Sequence, residues 1–134
     1  MKTFIEIGTC DFDTCQKLAD NGWQGIMIEP NPQAFKNMNR VMEDYDNVIT
    51  LPYAVSDYDG MIEFGVSKQD HTDRAVRGMS SIVADNHKGG RIFEYEAWSK
   101  KEFLDKVIEV PCKRLDTIIY ENEFEPPERL IELL

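Results

Sequence analysis

Two short apolar runs, each ending in a carboxylate, constrain this chain more than any other feature. Phe4-Ile5-Glu6-Ile7 breaks at Gly8, and Ile26-Met27-Ile28-Glu29 breaks at Pro30-Asn31-Pro32. Runs of this length bounded by turn residues suit strands buried on both faces of a parallel sheet. Open α/β sheets bind ligands at the carboxyl ends of such strands. Both runs therefore deliver an acidic group to a binding edge.

The sequence between and beyond them supplies the rest of an α/β pattern. Cys15, Leu18 and Ala19 form the narrow apolar face of a helix that Asp11 or Asp13 can cap and Gly22 can stop. This makes a βαβ unit ending at Glu29. Asn31 and Pro32 read as the N-cap and first position of a second helix, whose Ala34, Phe35, Met38 and Met42 fall at helical spacing and pack in the core. Asn47 to Tyr53 is rich in strand formers and predicts a third parallel strand, leading into Ala54-Val55-Ser56-Asp57. Met61 to Ser67 and Val107 to Cys112 alternate apolar with polar, which predicts an antiparallel pair at one side of the same sheet. Residues 68–106 form an irregular insertion, polar up to Gly90 and then helix-like from Arg91 to Lys106, either a lid over the binding edge or a surface excursion. Leu130 to Leu134, after Pro126-Pro127, suits a central strand.

A chain of 134 residues is read as one domain. Its 15 basic and 25 acidic residues leave a net charge of −10, which opposes nucleic acid and anionic membranes as partners. Glu6 interrupts the first apolar run before it resembles a leader, and no run reaches transmembrane length. Cys10, Cys15 and Cys112 form no CxxC pair, and free thiols in a reducing cytoplasm are the expected state.

The position of Glu29 narrows the ligand. An acid at the end of the second strand, about 20 residues past the glycine turn, accepts hydrogen bonds from the hydroxyls of an adenosine ribose. A dinucleotide is disfavoured because Gly8 stands alone and Asp11 and Asp13 occupy the place of a pyrophosphate. S-adenosylmethionine carries an ammonium and a sulfonium but no phosphate, and suits that acidic turn. Asp57 either receives the adenine amino group or makes the tight turn with Asp59 and Gly60.

Here the chain resembles a known family. Glu6-Ile7-Gly8-Thr9-Cys10-Asp11-Phe12-Asp13, Glu29-Pro30-Asn31-Pro32, Ala54-Val55-Ser56-Asp57 with Gly60, Ile62-Glu63-Phe64, Gly78-Met79-Ser80-Ser81 and Val110-Pro111-Cys112-Lys113-Arg114-Leu115-Asp116 are similar, in that order, to the FkbM family of S-adenosylmethionine-dependent methyltransferases. The resemblance implies a Rossmann-like, mostly parallel α/β sheet. It implies S-adenosylmethionine bound by Glu6, Gly8, Thr9, Cys10, Glu29, Pro30, Asn31 and Asp57, and O-methylation of a small-molecule or sugar hydroxyl. Two departures stand out. The family continues its glycine turn with Asn and a second Gly, where this chain has Cys10 and Phe12. It also carries a Lys-Ile-Asp-x-Glu-Gly strand end beyond the Arg-Leu-Asp segment, and the sequence stops at Leu134. The resemblance thus implies a sheet incomplete at its C-terminal side, poor activity of this chain alone, and an exposed Leu130–Leu134 edge that pairs two copies into a homodimer, the competing reading being a monomer in which Arg91 to Lys106, with Phe93, Trp98 and Phe103, folds back over that edge. The rival reading is a catalytically incomplete cofactor-binding or structural fragment.

Methyl transfer from a sulfonium mainly requires donor and acceptor to be held close and in line. A base helps when the acceptor is a hydroxyl, and His71 and His87 are the only side chains with an ordinary pKa near neutrality. Both read more readily as solvated loop residues, so no catalytic base is assigned. They lack a supporting ligand pattern, and no metal is expected. Ser80 and Ser81 either touch a ligand or cap a turn, Arg114 and Asp116 make a structural pair, and Cys10 is a small packing residue with no histidine near it in sequence.

Overall fold

The computed structural model describes residues 2–8, 15–67, 81–82, 104–125 and 129–132. In chain order its elements are β1 (Thr3–Ile7), α1 (Gln16–Asp20), β2 (Gln24–Ile28), α2 (Pro32–Met42), β3 (Val48–Leu51), β4 (Ala54–Val55), β5 (Gly60–Ser67), β6 (Ser81–Ile82), β7 (Leu104–Lys113), α3 (Leu115–Glu121) and β8 (Arg129–Glu132). They divide into two compact units, one of residues 1–60 and 111–134, the other of residues 61–110.

The first unit is built on a parallel sheet of order β3-β2-β1-β8. Ile5 lies opposite Ile26 and Leu130, and Ile26 opposite Ile49, so the two acid-terminated runs are its central strands. Alternate residues of these strands enter different cores, as the period of two requires. Phe4 and Met27 join Cys15 and Ala19 beside α1 and Met38 and Met42 of α2 on one face. Ile5, Ile26 and Ile28 pack with Ile118 of α3 on the other. With helices on both faces the central strands have no wet side, and their apolar residues run on without alternation. Mixed α/β architecture follows.

Local signals set the ends of these elements. Asn31 is the N-cap of α2 and Pro32 opens it; Ala34, Met38 and Met42 are buried, as their spacing predicts. Gly22, at φ 83°, ends α1. The Trp23 N–H donates to Leu18 O and the Gly22 N–H to Ala19 O, the two bonds of a Schellman stop. The start of α1 differs from expectation. Its N-cap is Cys15, which makes no side-chain cap, and Asp11 and Asp13 lie outside the described residues.

The predicted pairing of residues 61–67 with 107–112 takes a different form. These segments are neighbours, but in a second sheet of order β4-β7-β5-β6, separate from the parallel one. Within residues 61–110, Ile62, Phe64 and Val66 are buried while Met61 and Glu63 are exposed, so the alternation read from the sequence gives a half-buried strand. β5 runs antiparallel to β6, with Phe64 opposite Ile82. In the first unit, β4 lies parallel to β7, with Ala54 opposite Cys112. β7 begins at Leu104, so Leu104–Lys106 are strand where a helix was expected. The rest of the 91–106 segment, most of 68–90, and both histidines fall outside the described residues.

Candidate functional site

The carboxyl ends of β1 and β2 meet side by side. Gly8 leaves β1 at φ 76°, a conformation that a side chain would strain, and its N–H still donates to Ile28 O at 2.8 Å. One strand further, the Glu29 N–H donates to Leu51 O at 3.0 Å. The exit of each strand is therefore fixed by its neighbour.

Two acids sit at this edge. Glu6 is wholly buried in β1, opposite Met27 in register, on the parity of Phe4. Glu29 is 3% exposed, just beyond β2 on the parity of Met27, so both carboxylates belong to the face covered by α1 and α2. Two ionisable side chains buried on one face of adjacent strands make this edge the candidate site.

Glu29 is held in place by the turn that follows it. Its Oε2 accepts the Asn31 N–H at 2.8 Å. Asn31 Oδ1 in turn accepts the N–H groups of Gln33 at 3.1 Å and Ala34 at 3.4 Å, and Asn31 O accepts the Phe35 N–H. Asn31 is only 1% exposed, and its Nδ2 has no acceptor among the described residues. Pro30, half-buried, separates the two, and Pro32 removes one N–H that the first turn of α2 leaves unpaired. Glu6, Gly8, Glu29, Pro30 and Asn31 are thus gathered at one sheet edge. Thr9 and Cys10 lie outside the described residues.

Asp57 has its own surroundings. It is exposed in the turn between β4 and β5, where its charge acts on Tyr58 and Arg114. The turn itself is tied by Ser56, whose Oγ donates to Tyr58 O at 2.6 Å. Asp59 then reaches α3: its Oδ1 accepts the Arg114 N–H at 2.9 Å and its Oδ2 the Thr117 hydroxyl at 3.1 Å. Asp59 and Thr117 are 58 residues apart, and no sequence spacing announces such a cap. Arg114 and Asp116 form the expected pair, at 2.9 Å and 3.0 Å between the guanidinium and both carboxylate oxygens. The guanidinium hydrogen bond holds the Asp116 carboxyl below its ordinary pKa.

Residues 6–130 match the family model described as the methyltransferase FkbM domain. The chain belongs to the FkbM methyltransferase family. No curated protein and no solved structure matches it. The match begins at Glu6, so the carboxyl end of β1 and the whole of β2 lie inside the family's domain.

The edge thus offers one acceptor and one donor close together in sequence. A carboxylate fixed by its own turn accepts from hydroxyls, and a buried amide donor stands two residues away. Among the described residues no group of three His, Cys, Asp or Glu side chains is arranged for a metal ion, and no helix is long and apolar enough to cross a membrane.

Proposed function

We propose that this chain is a Rossmann-like, S-adenosylmethionine-dependent methyltransferase domain that methylates a hydroxyl of a small molecule or sugar. The observation that carries this reading is the pair of buried acids, Glu6 and Glu29, at the adjoining carboxyl ends of β1 and β2. Bound S-adenosylmethionine would supply an activated methyl group on a positively charged sulfur. Glu29 would hold the ribose hydroxyls, Gly8 would let the backbone approach the ligand, and Glu6 would set a negative potential that favours a cationic ligand over a phosphate. Thr9, Cys10, Pro30, Asn31 and Asp57 complete the proposed cofactor set, and the acceptor would be a small molecule or glycan.

Transfer from a sulfonium neutralises charge rather than creating it, so the task of the protein is alignment and exclusion of water. A rigid strand edge is suited to that. Glu29 cannot drift, because Asn31 binds its carboxylate and β3 binds its backbone.

Titration calorimetry with S-adenosylhomocysteine tests the reading. The parent chain binds it, and Glu29→Ala binds it about tenfold to a hundredfold more weakly, since removing a charged acceptor from two hydroxyls costs roughly 1.5–3 kcal/mol. Equal affinity of the two proteins would overturn the ribose assignment. Labelled S-adenosylmethionine offered with a panel of hydroxyl acceptors then tests the reaction; transfer to amines or thiols alone would refute O-methylation.

A further inference from the structure

The side chain of Asn31 does one job with its oxygen and none, within the described residues, with its nitrogen. Oδ1 is committed to the Gln33 and Ala34 N–H groups. That fixes the amide, because turning it over would set the NH2 group against two backbone donors. Nδ2 is thereby held as a donor beneath the surface, with no acceptor among the described residues. Capping does not call for it, since Ser or Asp caps a helix as well as Asn and carries no buried NH2. A buried donor left unmet is a cost that folds seldom retain.

The neighbour of Asn31 supplies the complementary half. Glu29 Oε2 accepts the backbone N–H of this same residue, so an anionic acceptor and an orphan donor are tied together at one turn. A hydroxyl both donates and accepts. A carboxylate satisfies only its hydrogen. From this we infer that Asn31 Nδ2 donates to a sugar hydroxyl oxygen of the nucleoside whose hydroxyl hydrogens Glu29 receives, making the two residues a paired reader of a ribose hydroxyl. The inference rests on the adenosine-binding reading and gives Asn31, already in the proposed cofactor set, a specificity-determining role within it. A site that pairs both halves of a hydroxyl rejects a ligand lacking it, because its own buried groups are then left unmet.

The test uses S-adenosylhomocysteine and its 2′-deoxy and 3′-deoxy analogues, titrated into the parent chain, Asn31→Ser and Glu29→Ala. Serine keeps the cap oxygen and loses the N–H donor, and thermal unfolding without ligand verifies that the cap survives. Asn31→Asp, another good cap without an N–H, serves if the serine variant does not fold. The expected result is a loss of about tenfold in affinity for S-adenosylhomocysteine in Asn31→Ser, with the preference over one deoxy analogue shrinking by the same factor. Unchanged affinity overturns the inference. So does an equal loss for all three ligands, which would signal a loosened helix rather than a missing donor. If Glu29→Ala weakens binding and Asn31→Ser does not, the adenosine reading stands and only the donor falls. If the parent chain ignores S-adenosylhomocysteine, both fall.

Discussion

At the scale of single residues, a tight steric demand falls between Phe4 and Gly25, opposite one another on β1 and β2. A Cβ on residue 25 would sit 2.1 Å from Cζ of the Phe4 ring and 2.3 Å from Cε1, well inside contact distance. The ring occupies the space that a side chain would fill, and it is wholly buried with Met27, Met38 and Met42 against that face. It has nowhere to retreat, because close-packed interiors do not yield by an ångström. Gly25→Ala should therefore destabilise the fold by roughly 1–3 kcal/mol, the usual cost of overpacking. Introduced into Phe4→Leu, where the ring is gone, the same substitution should cost less. Chemical denaturation of the four proteins of the double-mutant cycle gives the coupling; a coupling near zero would mean that the backbones part rather than the ring resisting.

At the scale of elements, α1 is only Gln16–Asp20 and has no side-chain cap, so it leans on its neighbours. Tyr45, just past α2, provides one such support. Its hydroxyl donates to the Asp20 carboxylate and accepts from Gln16 Nε2 at 3.3 Å. The hydrogen bond to Asp20 raises the Tyr45 pKa above its ordinary value. Because the neutral phenol is the form that binds, this contribution to stability is complete below the unfolded pKa and is lost as pH rises through the folded one. Asp20→Asn should bring the phenol back toward its ordinary value, seen as an earlier rise in phenolate absorbance for one tyrosine. An unshifted curve would dissociate the bond from the titration. The elements that a sequence reader can place are those with local signals: two apolar runs ending in acids, the Asn31-Pro32 start of α2, and the Gly22 stop. The gathering of the candidate residues Glu6, Gly8, Glu29 and Asn31 at one edge is legible to the same extent, since it follows from those strand ends. The second sheet is legible only in part: the alternation of 61–67 and 107–112 marks two neighbouring strands, but alternation does not say which sheet a strand joins, and β7 begins at Leu104, inside a stretch that reads as helical. α3 is hidden. Its Thr117, Ile118 and Ile119 are β-branched residues that favour strand, and its capping carboxylate comes from Asp59 across the chain.

At the scale of the whole molecule, ligand binding and folding are linked, and the division of the chain tells where the linkage should appear. Glu6, Gly8, Glu29 and Asn31 all belong to the unit of residues 1–60 and 111–134. A ligand that binds only the folded state at a hundred times its dissociation constant stabilises that state by about 2.7 kcal/mol. Amides of β1 and β2, central in the parallel sheet, exchange only when that unit opens, so S-adenosylhomocysteine should slow them by up to about a hundredfold. The turn amides of Glu29 and Asn31, already bonded to Leu51 O and Glu29 Oε2, should gain protection with them. Amides of residues 61–67 and 107–110 fall in the other unit and should keep their rates if it opens separately. Hydrogen exchange followed by mass spectrometry, with and without S-adenosylhomocysteine, distinguishes the outcomes. Protection confined to residues 61–110 would move the binding edge away from Glu6 and Glu29, whereas slowing centred on residues 3–8 and 24–31 would tie the ligand to the paired acids.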